Sequence, residues 1–155
     1  MSPVMPPMEG GVPYMNLGSD SCANLVAFNG GLYCFGQGGP NNSGLIASSF
    51  FNGDSWQAVE IVVPATSSLY TNGSGAGFMS YSPGPVVFQG ALYLFFNGAG
   101  MDGWIFWVSS TDGKTWSTLN NNVNSGLSYW PSAVVLGEQL WLGYTARDQG
   151  NSIWG

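Results

Sequence analysis

Short apolar runs separated by glycine-containing turns dominate the chain. Runs at residues 85–88 and 92–97 flank the pair Gln89-Gly90, and a further run at 104–109 precedes the pair Asp112-Gly113. Asp-Gly and Asn-Gly pairs between apolar runs, such as Asn29-Gly30, are the strongest short-range indication of β-hairpins. Several runs are apolar at consecutive positions, as in strands that are buried on both faces. No segment longer than about 10 residues keeps a helical period without glycine or proline, so the pattern predicts an all-β protein.

The apolar pattern repeats within the chain. Residues 25–35 and 85–95 align without a gap at an offset of 60 residues, and a third copy follows 48 residues later at 134–142. The first offset superimposes identical aromatic residues: Phe28 on Phe88, Tyr33 on Tyr93 and Trp56 on Trp116. So many matching residues at one fixed offset are not expected by chance. The sequence therefore contains two complete copies and part of a third.

Each complete copy is predicted to form four short antiparallel strands, the fourth strand of the second copy beginning near Trp116. The partial third copy is predicted to end before its fourth strand. Four-stranded units that repeat every roughly 40 to 60 residues are typical of β-propeller blades. We divide the chain into an N-terminal arm at 1–23, which could supply a closing strand, and blades at 24–63, 84–123 and 132–155, the last one partial. About three blades do not close a ring, and open sheet edges promote aggregation. We therefore expect a homo-oligomer, with a dimer forming a six-bladed ring favoured, or a chain that is part of a longer ring.

The second copy resembles the blades of known propellers. Residues 85–96, followed by 105–116 with the turn Ser110-Thr111-Asp112-Gly113-Lys114-Thr115-Trp116, look like blades of sialidases, of arabinanase and fructosidase enzymes, and of propeller lectins. The turn is similar to the Asp-box of sialidases, although one spacer between Asp112 and Gly113 is missing and the first copy has Asn52 in place of the aspartate. The resemblance implies a blade. We expect Asp112 to accept hydrogen bonds from backbone N–H groups of its own turn.

The composition excludes several classes of function. Only 6% of the residues are charged, with two cations, no histidine and a net charge of −6, whereas an average soluble protein has about 25% charged residues. Two cations cannot form the basic surface that nucleic acids require. Without histidine there is no Ser-His-Asp or Cys-His nucleophile system and no histidine metal site. Asp102, Asp148 and backbone oxygens could bind calcium, but the sequence has no Asp-x-Asp-x-Asp loop, so we expect neither a metal nor a cofactor.

Three features of the sequence bear on the location of the protein. Residues 1–8 lack the cationic and apolar regions of a signal peptide, and the apolar runs are shorter than the roughly 20 residues of a membrane helix. The acidic charge also opposes binding to anionic membranes, so no membrane partner is expected. A mature extracellular or secreted form remains compatible with the sequence. Cys22 and Cys34 either form a disulfide there or are two small buried residues.

Catalysis is not expected from this chain. Sialidases clamp a carboxylate with three arginines, and this chain contains only Arg147. Propeller glycosidases resembling these blades place acids before the innermost strand, where this chain has Tyr81-Ser82-Pro83 and Tyr129-Trp130-Pro131. We assign no catalytic residue, although a glycoside hydrolase would have to use the remaining acidic candidates, Asp20, Asp102 and Asp148.

Aromatic residues instead favour carbohydrate binding. Seven tryptophans and seven tyrosines suit sugar rings, whose apolar C–H faces stack on aromatic rings while their hydroxyl groups pair with polar side chains. Aromatics that recur in the repeat are assigned to packing between blades: Tyr33, Trp56, Tyr93, Trp116 and Trp141. Residues beside the turns and before the strands are assigned to the ligand: Tyr81, Asn97, Trp104, Trp107, Tyr129, Trp130, Asp102, Arg147, Asp148 and Gln149.

The sequence thus leaves three functions open. We favour a non-catalytic, multivalent glycan-binding propeller, in which weak single sites gain avidity. The first alternative is a fragment or relative of a propeller glycoside hydrolase. The second is a structural or assembly domain without a ligand, with the arm at 1–23 used for docking or forming a disordered tail.

Overall fold

Ten β-strands make up the regular structure in the computed structural model, which describes residues 24–38, 45–57, 60–62, 83–97, 104–120, 123, 128–146 and 152–154. Within these ranges there is no helix, which also means that none is long and apolar enough to cross a membrane. The all-β prediction is confirmed. The strands are β1 Asn24–Phe28, β2 Gly31–Gly38, β3 Leu45–Phe51, β4 Glu60–Ile61, β5 Gly84–Phe88, β6 Ala91–Asn97, β7 Ile105–Ser110, β8 Ser128–Leu136, β9 Gln139–Ala146 and β10 Ser152–Trp154.

The strands form three antiparallel sheets, each a meander of consecutive strands. The first sheet has the order β1-β2-β3-β4, the second β5-β6-β7 and the third β10-β9-β8. The first sheet has the four strands predicted for a complete copy, and the third sheet has the three strands predicted for the partial copy. In the second sheet the outer strand expected near Trp116 is reduced, among the described residues, to a bridge between Trp107 and Asn120 with N–H···O distances of 2.9 and 3.0 Å.

The strand pairing confirms the two sequence offsets. The first two strands of each sheet pair in equivalent register: Asn24 with Phe35, Gly84 with Phe95 and Ser132 with Gly143. The next pair of strands keeps the offset of 48, since Asn97 lies opposite Ile105 and Thr145 opposite Ile153. The offset of 60 does not hold in this pair of strands. Leu32 pairs with Phe51, so the offset would place Leu92 opposite Thr111, but Leu92 pairs with the preceding residue, Ser110.

Two hairpins turn at the dipeptides that the sequence singled out. Gln89 and Gly90 have φ values of 49° and 75°, and the equivalent Asn29 and Gly30 have 50° and 77°. Two consecutive left-handed residues fit a type I′ turn, whose twist matches that of the flanking strands. The predicted turn at Gln89-Gly90 is confirmed.

The first and second sheets pack face to face. Phe28, Tyr33 and Phe35 of the first sheet belong to one buried cluster with Leu92 and Leu94 of the second. Alternate residues of a strand point to opposite faces, so the remaining face of the second sheet is available to another neighbour.

The third sheet is that neighbour. Val86 and Phe95 of the second sheet are buried against Ala133, Leu140 and Leu142 of the third. Both faces of the second sheet are therefore covered, as the consecutive apolar positions of its strands predict.

The first strands of the three sheets lie side by side. The Asn24 side-chain amide donates to the Pro83 carbonyl at 2.6 Å, which ties β1 to the residue preceding β5. At the equivalent position in the second sheet, a Cβ placed on Gly84 would lie 2.6 Å from the Pro131 carbonyl oxygen of β8. Because no side chain fits there, glycine allows β5 and β8 to approach closely.

One packing assignment differs from the sequence prediction. Tyr33 and Tyr93 lie at the faces between sheets, but the equivalent Trp141 is 45% exposed. Trp141 lies on the outer face of the third sheet, which carries no further sheet within the described residues. Trp141 is therefore not part of the buried core formed by the described residues of one chain.

Some predictions fall on residues outside the described ranges. They include the arm at 1–23 and Cys22. Cys34 is a free, half-buried thiol, and burial raises its pKa above the ordinary value.

Packing between the first two sheets should dominate the stability of the fold. Leu94 is completely buried, so we expect Leu94→Ala to lower the free energy of unfolding by about 2–5 kcal/mol. Thr118→Ala is the control, because Thr118 is exposed and lies outside the sheet interfaces, and it should change that free energy by no more than about 0.5 kcal/mol. Urea unfolding monitored by tryptophan fluorescence measures both. Equal losses for the two variants would contradict the sheet interface described here.

Candidate functional site

The structure describes five of the ten residues assigned to a ligand. Asn97 ends β6, Trp104 directly precedes β7, and Trp107 lies within β7. The backbones of Tyr129 and Trp130 lie in β8, where Tyr129 is opposite Thr145. The other five assigned residues lie outside the described ranges: Tyr81, Asp102, Arg147, Asp148 and Gln149.

A single buried amide brings three of these residues together. Asn97 is 1% exposed. Its Nδ2 donates to the Trp104 carbonyl at 3.2 Å, and its Oδ1 accepts from the Trp130 backbone N–H at 3.0 Å. The first bond closes the end of the β6–β7 hairpin and the second joins that hairpin to the third sheet. We refer to Asn97, Trp104 and Trp130 as the Asn97 corner.

Trp130 has an unusual backbone conformation. Its φ is 52°, a region that bulky residues rarely adopt and that costs about 1–3 kcal/mol. The pairing of β8 with β9 shifts register between Tyr129 and Ser132, so Trp130 lies in a β-bulge, a feature that re-aims side chains. The side chain is 57% exposed, whereas tryptophan is highly buried on average. The bulge and the bond to Asn97 together present this indole at the surface.

The other two described tryptophans take part in packing. Trp104 is half-buried and packs against the cluster between the first and second sheets. Trp107 packs in the cluster between the second and third sheets, with its ring centroid 5.8 Å from that of Tyr93. Trp104 thus contributes to the Asn97 corner through its carbonyl, while Trp107 contributes to the sheet interface.

The turn after β7 is held by Asp112. One carboxylate oxygen accepts from the backbone N–H groups of Thr115 at 2.7 Å and Lys114 at 2.8 Å and from the Ser110 hydroxyl at 2.9 Å. These bonds, those from Thr115 and Lys114 first, hold the pKa of the Asp112 carboxyl well below its ordinary value. The prediction that Asp112 caps its own turn is confirmed.

The equivalent turn of the first sheet achieves the same closure without a charge. The Asn52 side-chain oxygen accepts from the backbone N–H groups of Asp54 at 2.9 Å and Ser55 at 3.0 Å. An amide oxygen thus replaces the carboxylate at the matching position. The shared geometry indicates a structural role for both side chains.

No metal centre is apparent in the described part of the chain. There, no three aspartate, glutamate, cysteine or histidine side chains come close enough to hold a metal ion.

Two features of the Asn97 corner were not predicted. The sequence assigned Trp130 to a segment before the strand and started the third blade at 132, but β8 begins at Ser128. Pro131 was the available signal, because a proline inside a strand favours a bulge or an edge. Asn97 was assigned to the ligand, and the structure shows its amide buried between two sheets.

Comparisons of the chain with protein-family models and with curated protein sequences found no match.

The Asp112 turn should make the stability depend on pH. Because the folded state lowers the pKa of this carboxyl from the ordinary 3.8, its stabilising contribution is present above pH 4 and is lost as the pH falls further. Asp112→Asn should flatten this acid dependence of the melting temperature, and Asn52→Asp should steepen it. Thermal unfolding between pH 2 and pH 7 measures both. Identical profiles for wild type and Asp112→Asn would contradict the role of the carboxylate.

Removing the buried amide should loosen the Asn97 corner. Asn97→Ala takes away one partner of the Trp104 carbonyl and one of the Trp130 N–H, so we expect a loss of about 1–3 kcal/mol in the free energy of unfolding. Asn120→Ala is the control, because the Asn120 amide bonds only two residues away to the Thr118 carbonyl at 2.9 Å. Urea unfolding should show the smaller loss for Asn120→Ala, and the reverse order would refute the bridging role.

Proposed function

We propose that the chain is a non-catalytic, glycan-binding β-propeller module whose binding surface centres on Trp130. The observation that carries this proposal is the exposed indole of Trp130, on a residue whose φ is strained at 52° and whose backbone N–H donates to the buried amide oxygen of Asn97. Strained conformations of this kind cluster at functional sites because the surrounding structure must support them. Because the strained backbone of Trp130 costs free energy, a functional role for its exposed indole is favoured.

The chemistry of the site suits a neutral sugar. A tryptophan face stacks on the apolar C–H face of a pyranose ring without requiring charge, and only 6% of the residues in the chain are charged. Asn97 acts here as a positioning residue, because its amide holds the Trp130 backbone. Hydroxyl groups of the sugar would be recognised by polar groups around the indole.

The sheet arrangement supports the propeller. In such folds four-stranded units surround a central axis, and here β5 lies between β1 and β8, with the sheets stacked face to face. The turn at Asp112 also resembles an Asp-box in its self-capping. Closure of the ring, its blade number and an extracellular location stay predictions.

The described acidic residues favour binding over hydrolysis. Asp54, Asp112 and Glu138 follow β3, β7 and β8 in turns, and Glu60 lies in the outer strand β4, opposite Ser48. These turns are at the ends of their strands opposite the Asn97 corner, since Asn97 pairs with Ile105 at the start of β7. A glycosidase needs two carboxylates about 5–9 Å apart around the bond that is cleaved. The hydrolase alternative would therefore depend on Asp20, Asp102 or Asp148, which lie outside the described ranges.

The Trp130 site has no aromatic equivalent at the matching positions of the repeat. The residue equivalent to Trp130 in the second copy, 48 positions earlier, is Ser82. The equivalent residue in the first copy, a further 60 positions earlier, is Cys22. Each chain would thus contribute one such indole, and multivalent binding would require more than one copy.

Binding should depend on Trp130. A glycan array first identifies a ligand, and titration of that soluble ligand with tryptophan fluorescence then measures its affinity. We expect Trp130→Ala to weaken binding at least about ten-fold, since a stacking contact of about 1.4 kcal/mol or more is lost. Trp141→Ala is the matched control, because Trp141 is also exposed but lies on the outer face of the third sheet.

Two outcomes would overturn the proposal. The first is no binding and no quenching across a broad glycan panel. The second is turnover of chromogenic glycosides that is abolished by changing Asp20, Asp102 or Asp148, which would identify a hydrolase instead.

A further inference from the structure

The outer face of the third sheet is an exposed apolar surface. Val134 is 60% exposed, Leu136 69% and Trp141 45%. Val134 and Leu136 lie two positions apart in β8, and Trp141 lies opposite Val134 in β9. The three side chains therefore share one face of the sheet, which we call the third-sheet face.

The repeat shows what covers this face in the other sheets. Applying the offsets of 60 and then 48 places Tyr33 of the first sheet at the position equivalent to Trp141. The same step places Phe28 at the position equivalent to Leu136. Both are buried by the second sheet. Tyr33 lies directly against Gly113, and its hydroxyl donates to the Asp112 carbonyl at 3.4 Å. An aromatic side chain at this position thus fits beside the glycine of the next sheet's Asp112-type turn.

The outer face of the first sheet is the other half of the same interface. Leu32 and Cys34 are only half-buried there, while their equivalents Leu92 and Leu94 are completely buried by the neighbouring sheet. Leu25, on the same face, is exposed. We call these residues, with Phe51 and Gly53, the first-sheet face.

The first-sheet face contains an open depression where an aromatic ring would fit. Leu32, Phe51 and Gly53 are among the residues that line it. Gly53 is the equivalent of Gly113, but a Cβ placed on Gly53 would have no atom within 4 Å. The depression thus corresponds to the place that Tyr33 occupies beside Gly113.

We propose that the third-sheet face of one copy docks on the first-sheet face of a second copy, with Trp141 inserted beside Gly53 of that second copy. The two faces are complementary halves of an interface that the chain already forms twice internally. This inference rests on the propeller architecture proposed above and is independent of glycan binding. Because two different surfaces meet, the contact is head-to-tail, and it gives a closed ring or a filament according to its rotation.

The experiment uses one variant for each face. Val134→Lys places a charge in the third-sheet face and Leu25→Glu places one in the first-sheet face. Both residues are mostly exposed, so the fold should survive, and circular dichroism and the melting temperature check this. Thr118→Glu, at an exposed position outside both faces, is the control. Light scattering and sedimentation velocity measure the mass against the 16.4 kDa of one chain.

A head-to-tail contact predicts a distinctive set of masses. Wild type and Thr118→Glu should exceed the mass of one chain, and each face variant alone should be reduced to it or associate at least ten-fold more weakly. An equimolar mixture of the two variants should form one-to-one pairs, because each variant supplies the intact face that the other lacks. A same-face contact would not be restored by mixing.

Three results would overturn the inference: a wild type with the mass of one chain, a face variant that keeps the wild-type mass, or a mixture that stays at the mass of one chain. Trp130→Ala separates this test from that of the proposed function. It should weaken glycan binding at least about ten-fold while keeping the mass of the wild-type assembly. Leu25→Glu should instead reduce the mass of the assembly while keeping the affinity for a soluble monovalent glycan.

Discussion

Face-to-face packing of successive sheets is the interaction on which the rest of this structure depends. The second sheet directs Leu94 toward the first sheet and Val86 toward the third, so its strands must be apolar on both faces. A chain built in this way has few positions for charged side chains, which accounts for the 6% charged residues. Polar turns such as those at Asn52 and Asp112 then provide solubility, and their own hydrogen bonds close them.

The proposed binding site depends on this packing rather than on a local loop. Trp130 belongs to the third sheet, but its backbone N–H is bonded to Asn97 at the end of a strand in the second. The amide of Asn97 is buried, so breaking this bond without replacing it is costly. Any change in the distance between the two sheets would therefore move the indole. Preorganisation of this kind lowers the entropy that a ligand must offset on binding.

The sequence predicted those features that each repeat determines by itself. Turns at Gln89-Gly90, the self-capping by Asp112 and the equivalent pairing of Gly84–Phe95 and Ser132–Gly143 all follow from local residue types and offsets. The outer strand expected near Trp116 is represented, among the described residues, by the bridge between Trp107 and Asn120. The bulge at Trp130 was missed, since it depends on a hydrogen bond to a residue 33 positions away.

Tyr33 and Trp141 show why burial could not be predicted from the repeat. They occupy equivalent positions, but Tyr33 is 5% exposed and Trp141 45%, because only Tyr33 has a neighbouring sheet against it. A repeat position fixes the direction of a side chain, whereas the neighbour fixes its burial. An aromatic residue at a packing position without a neighbour is a surface that binding would stabilise. Since each chain offers one Trp130 site, the number of chains that associate through such surfaces would also set the valency of glycan binding.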